Sequence, residues 1–141
     1  MIALRPVEAA DAPFLLRVFA SSRPDLALLP EPLVRLQFAA QDAAYARARR
    51  SVVVVDGVDA GRLYVEVDRV VDITLLPEFR GRGIGTSLLE GLMDERVSLS
   101  VSVMNPARAL YERLGFRVVS DDGAYLSMLW TPGTVSCSTA V

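Results

Sequence analysis

The sequence predicts a mixed α/β domain, an α+β arrangement in which one sheet is flanked by helices. Three observations carry this expectation. The apolar residues change period along the chain, from helical spacing to strand alternation and back. Pro, Gly, Asn and Asp stand at most of these changes. A chain of 141 residues with 52% apolar content can bury one core, with little room for a second.

The elements follow in order. Ile2 to Arg5 reads as a short extended segment stopped by Pro6. Asp11 is placed to cap a helix through about Ala20, with Phe14, Leu15 and Val18 at helical spacing. Pro24 and Pro30 bracket a loop. A second helix is predicted from Pro32 to about Arg49, where Leu33, Leu36, Ala40 and Ala44 share a face. The period then changes. Ser51 to Val55 is a β-branched run ended by Asp56-Gly57, a hairpin signal. Gly61 to Val67 and Arg69 to Leu76 follow as strands, so the three runs suggest an antiparallel meander. A helix is predicted from Gly83 to about Glu95, with Ile84, Leu88, Leu89 and Leu92 on its apolar face. Val97 to Val103 alternates with serine as a half-buried strand does. Asn105-Pro106 signals a helix start and Gly115 its end. Phe116 to Val119 and Tyr125 to Trp130 are the last strands, joined through Asp121-Asp122-Gly123. Residues 1–130 form the domain, and 131–141 a polar tail rich in Ser and Thr that is expected to fray.

Composition removes whole classes of chemistry. With no histidine, imidazole bases and His-ligated metals are excluded. All 15 basic residues are arginine, so a Schiff-base lysine and a P-loop lysine are excluded as well. The single cysteine, Cys137, lies in the tail. A formal charge of -2 gives no electrostatic case for nucleic acid. The cluster Arg47, Arg49 and Arg50 reads instead as a solvated helix end, where cations suit the helix C-terminus. No apolar run is long enough for a membrane span and no signal peptide is visible, so the expectation is a cytoplasmic protein.

The strongest feature is positional. A strand ends at Leu76-Pro77, the turn Arg80-Gly81-Arg82-Gly83-Ile84-Gly85 follows, and a helix starts within it. Unpaired N–H groups and a partial positive charge at a helix N-terminus favour an anion such as pyrophosphate. Glycines let the backbone approach it, and Arg80 and Arg82 are positioned to add charge-assisted contacts. Two rival patterns fail. A Rossmann G-x-G-x-x-G needs glycine where Thr86 or Leu88 stands, and a P-loop needs lysine. A glycine-rich turn that merely connects strand to helix is the plain alternative.

These residues resemble the GNAT superfamily of acyl-CoA N-acyltransferases. Arg80, Gly83 and Gly85 match its Q/R-x-x-G-x-G/A signature, after Leu75-Leu76-Pro77-Glu78-Phe79, which looks like the end of its fourth strand. Downstream, Asn105-Pro106-Ala107 and Leu110-Tyr111-Glu112-Arg113-Leu114-Gly115-Phe116 are similar to its N-x-x-A…L-Y-E-x-L-G-F segment, with one residue fewer after the asparagine. The resemblance implies a mostly antiparallel sheet with splayed fourth and fifth strands and about four helices. It further implies direct acetyl transfer from acetyl-CoA, without a metal, to an amine of an unidentified small molecule or peptide. By the same resemblance, main-chain groups of Ile73 and Leu75, beside Leu76, pair with pantetheine and polarise the thioester. Arg80, Gly81, Arg82, Gly83, Ile84, Gly85 and Thr86 hold the pyrophosphate, and Asn105 touches the cofactor or simply caps its helix. Tyr111 is the implied general acid; its alternative is a packed aromatic beside Ala107, Leu110 and Leu114.

The base is open. Many family members carry Glu or His where this chain has Val71 and Arg69. Asp72, which alternation points to the other face, Glu66 and a water relay remain. Gln37, Gln41, Tyr45, Tyr64, Glu66 and Tyr125 are candidate acceptor contacts. Homodimers are common in the family. A non-catalytic acyl-CoA-binding or interaction module with the same fold is the competing function.

Overall fold

A computed structural model of the protein describes residues 1–93, 96–103 and 107–132. Its strands are β1 (Ile2–Pro6), β2 (Arg49–Val55), β3 (Val58–Glu66), β4 (Arg69–Leu75), β5 (Val97–Ser102), β6 (Arg117–Asp121) and β7 (Tyr125–Trp130). Its α-helices are α1 (Ala12–Ser21), α2 (Glu31–Ala44), α3 (Ile84–Leu92) and α4 (Ala107–Arg113). The hydrogen-bonded strand order is β1-β2-β3-β4-β5-β7-β6, a mixed sheet of the predicted α+β class. The chain divides into two compact units, Met1–Glu66 with Val71–Arg82, and Val67–Val70 with Gly83–Val141.

In the first unit, β1 and β2 pair antiparallel, as do β2 and β3. Val52 and Val53, adjacent and facing opposite sides of β2, are both fully buried, which explains the unbroken valine run. Asp56 and Gly57 turn the predicted hairpin with φ of 49° and 82°, the left-handed pair that fits the strand twist. β3 starts at Val58, three residues before the predicted start at Gly61, because pairing with β2 reaches the turn. Leu15, Val18 and Phe19 of α1 are buried, and Phe19 meets Phe38 of α2 at 5.6 Å between ring centroids.

Two expectations change here. Asp11 does not cap α1 with its side chain. Its carboxylate accepts the Glu8 N–H at 2.8 Å and two Arg5 N–H bonds at 2.9 and 2.7 Å, which closes the single 3-10 turn Ala9–Asp11 instead. The second helix stops at Ala44, with Tyr45 as its C-cap, rather than reaching Arg49. Arg49 and Arg50 are drawn into β2 opposite Val65 and Tyr64, and Arg50 bonds Asp42 at 2.9 Å. The basic cluster is therefore split between a loop and a strand.

In the second unit, β4 begins parallel to β5, at Arg69↔Ser98 and Val70↔Leu99. β5 and β7 pair antiparallel, then β7 and β6. Val97, Leu99 and Val101 of β5 are buried, as are Leu126, Met128 and Trp130 of β7. Helix α3 buries Ile84, Leu88 and Leu89 and ends at Leu92, with Met93 as cap. The start of the fourth helix predicted at Asn105-Pro106 lies outside the described residues, as do Glu95 and 133–141. Gly115, at φ 101°, follows α4 as expected. Phe116 is buried rather than opening β6, and its N–H bonds Tyr111 O at 3.0 Å.

Candidate active site

In the first unit, Ile73 and Leu75 are half-buried on β4 and Leu76 is buried. Leu76 donates its N–H to Ala60 O at 2.8 Å. Close approach is possible because Gly61 sits opposite: a Cβ there would stand 2.2 Å from Thr74 O. After β4, Pro77–Phe79 makes one 3-10 turn. Arg80 folds back on it, donating Nε–H to Leu75 O at 2.9 Å and Nη2–H to Ser21 O at 3.4 Å. The side chain of this signature arginine thus fastens the turn to the strand end and to the end of α1. Arg82 lies over the Phe79 ring, 5.4 Å from its centroid. Gly81 has φ 73°, a region closed to most side chains at little cost.

In the second unit, Gly83 is the N-cap of α3 in the left-handed conformation, φ 76° and ψ 8°. Gly83 has no side chain with which to cap this helix, and no acidic residue occupies its first turn. The first intrahelical bond runs from Ser87 N–H to Gly83 O at 3.0 Å. The N–H groups of Ile84, Gly85 and Thr86 come before it, where a helix leaves its donors to a ligand or to water. A Cβ at Gly83 or Gly85 would meet nothing within 4 Å, so the space beside these amides is open. The arrangement fits an anion, with no competing carboxylate on the first turn. Tyr111, on α4, is half-buried and tilted against Phe116 at 6.0 Å between centroids. Asn105 lies outside the described residues.

The acceptor candidates separate. Gln41, Tyr45 and Tyr64 gather in the first unit around a residue that the sequence reading passed over, Arg62. Arg62 is 2% exposed. It donates Nε–H and Nη2–H to the two Asp72 oxygens at 3.0 and 2.8 Å, and Nη2–H to Gln41 Oε1 at 2.7 Å. Asp72 Oδ1 also accepts Thr74 Oγ1–H at 2.7 Å. Arg62 lies 5.1 Å from the centroid of Tyr64, which is fully buried, and Tyr45 meets that ring edge-on at 6.0 Å. Burial pushes the Tyr64 phenol pKa up, and its hydroxyl has no hydrogen-bond partner among the described residues. Gln37 is exposed on α2, Glu66 half-buried at the end of β3, and Tyr125, in the second unit, exposed. An arginine directly before the apolar run Leu63-Tyr64-Val65 was the available signal for this cluster: a buried cation must find a carboxylate.

Among the described residues no helix is long and apolar enough to cross a membrane, and no three His, Cys, Asp or Glu side chains gather as metal ligands.

Comparison with known proteins follows this geometry. A family model described as the acetyltransferase (GNAT) domain matches residues 40–118. An N-alpha-acetyltransferase of Saccharolobus solfataricus is 44% identical over 64 residues, which are 39% of this chain and 38% of that protein. The match thus spans well under half of that relative. Among solved structures, PH1933 from Pyrococcus horikoshii superposes with a TM-score of 0.76 at 20% identity, over 93% of this chain and 98% of that one. An acetyltransferase from Thermus thermophilus gives 0.70 at 27% identity, over 93% and 97%. The paia N-acetyltransferase of Thermoplasma acidophilum, solved with coenzyme A, gives 0.65 at 18% identity, over 93% and 99%. With the family model matched across residues 40–118 and the fold shared over nearly its whole length, the chain belongs to the GNAT acetyltransferase family.

Proposed function

We propose that this GNAT-family N-acetyltransferase moves the acetyl group of acetyl-CoA directly to a primary amine. The observation that carries the reading is the start of α3, a glycine-rich helix N-terminus without a side-chain cap, one turn after β4. The N–H groups from Arg82 to Thr86 hold the pyrophosphate there, the helix charge adding to each bond. Gly81 and Gly83 give the backbone the left-handed bends that the turn needs. Arg80 acts through the fold of the turn, since its guanidinium bonds Leu75 O. Bound acetyl-CoA supplies an activated thioester. Main-chain groups of Ile73 and Leu75 orient it, and a donor aimed at the thioester oxygen stabilises charge as the amine adds. Tyr111 then gives its Oη proton to the sulfur that leaves. A phenol with an ordinary pKa near 10 is protonated at neutral pH, so the proton is in place when charge develops on sulfur, and solvent restores it afterwards.

Asp72 is a structural residue in this reading, because Arg62 and Thr74 occupy both of its oxygens. The proton lost by the amine passes to water or to Glu66. The segment shared with the N-alpha-acetyltransferase makes peptide α-amines the first acceptors to assay. The experiment is CoA release with such peptides, comparing the native enzyme with Tyr111→Phe. Loss of about 100-fold in kcat with unchanged acetyl-CoA affinity supports the assignment. An unchanged kcat removes Tyr111 from the chemistry.

A further inference from the structure

The second unit carries a cavity of about 330 Å³. Register places its lining. Arg69 pairs with Ser98, Ser98 with Leu129 and Leu129 with Arg117, so these four form one row across β4, β5, β7 and β6. The next row is Ser100, Ser127 and Ser120. Directly paired residues present their side chains to the same face. Val97, Leu99 and Val101 occupy the opposite, buried face. The cavity face of β5 is therefore hydroxyl-bearing; Arg69 and Arg96 also line the cavity, together with Val119, Leu129 and atoms of Leu99 and Met128.

Arg96 pairs with Asp68 at 3.4 Å, both exposed, whereas no described acidic residue pairs with Arg69. Among the described residues that line the cavity the charge has one sign, and none is a carboxylate. A guanidinium and neighbouring serine hydroxyls make a donor-rich wall, the chemistry that receives an oxyanion.

We propose that this cavity binds an oxyanion, the carboxylate or phosphate group of a ligand other than CoA. The site stands on the geometry of the second unit alone.

The test uses the full-length protein saturated with CoA, so that the start of α3 is already filled. Inorganic phosphate is titrated while amide resonances are followed. Saturable millimolar shifts at Ser98, Ser100 and Ser127, weakened at least tenfold in R69Q/R96Q, are the expected result. No shift at these serines, or the same shift in the variant, overturns the site. Arg69 and Arg96 are exposed, and a single Arg69→Lys variant, which keeps the charge, should retain most of the affinity. A peptide carrying two aspartates should displace the phosphate, and its bis-asparagine counterpart should not. Displacement by both peptides overturns the oxyanion site; displacement by neither assigns it to phosphate rather than carboxylate. Failure of CoA itself to bind is seen before phosphate is added, and that result counts against the cofactor reading instead.

Discussion

Arg62 and Asp72 face each other across β3 and β4 in a two-point pair, Nε to Oδ1 at 3.0 Å and Nη2 to Oδ2 at 2.8 Å. The arginine is 2% exposed and the aspartate side chain 11%. Burying a guanidinium is costly, and the cost is offset only while its partner is present. Asp72→Ala should therefore lower stability by about 3–5 kcal/mol, measured by urea denaturation. Asp72→Asn should cost less, since it keeps an acceptor oxygen. Assayed well below its melting temperature, Asp72→Asn should retain kcat within a few-fold and an unaltered pH profile. A large kcat loss with a changed pH profile would identify Asp72 as the base.

Tyr64 carries the opposite imbalance. Its hydroxyl is buried with no hydrogen-bond partner in good geometry among the described residues, while its ring supports Arg62. Tyr64→Phe removes the orphan group and keeps the ring, so stability should be unchanged or should rise by about 1 kcal/mol. Tyr64→Ala should be strongly destabilising. A loss of stability in the phenylalanine variant would show that the hydroxyl has a partner in solution.

The Asp11 carboxyl titrates at about 2, below its ordinary 3.8, because Arg5 and the Glu8 N–H bond its charged form. A lowered folded-state pKa gives stability that is complete above the unfolded value and fades as pH falls through the folded one. The contribution should thus be full above about pH 4 and gone near pH 2. With Arg5 partly solvated, it should be about 1 kcal/mol. Asp11→Asn should be less stable at pH 7 and should flatten this part of the acid-unfolding curve.

Gly61→Ala tests the close approach of β3 and β4. The new Cβ would fall 2.2 Å from Thr74 O and 2.9 Å from Leu75 Cα, both backbone atoms that cannot swing aside. Thermal unfolding should show a loss of about 3 kcal/mol or more. Because the disturbed segment is the strand end before the signature turn, acetyl-CoA affinity should fall as well.

Several of these relationships were legible in the sequence, and others were not. The α3 turn could be read because its constraint is local: three glycines, a strand behind and a helix ahead. β7 was placed correctly because period-2 alternation and flanking turn residues agree there. The end of α2 could not be read, since Arg49 and Arg50 continue a helical pattern, and only their pairing with Val65 and Tyr64 draws them into a strand. Asp11 does hold the N-cap position of α1, as expected, but Arg5 and the Glu8 N–H take its carboxylate, so its side chain makes no cap bond. The Arg62 cluster joins residues 41, 62 and 72 from three elements, and nothing local reveals that meeting. The same holds for the cavity at Arg69, which exists only once four strands are in register.

The central claim is that the start of α3 holds acetyl-CoA, and thermal unfolding with and without the cofactor tests it most directly. A ligand at 100 times its Kd stabilises by about 2.7 kcal/mol. For a chain of this size, that is roughly a 5–10 °C rise in Tm. Millimolar acetyl-CoA should produce such a rise, and Gly83→Ala should lose most of it. Its φ of 76° is a left-handed conformation that alanine adopts only at a cost. No stabilisation of the native protein by millimolar acetyl-CoA would contradict the account.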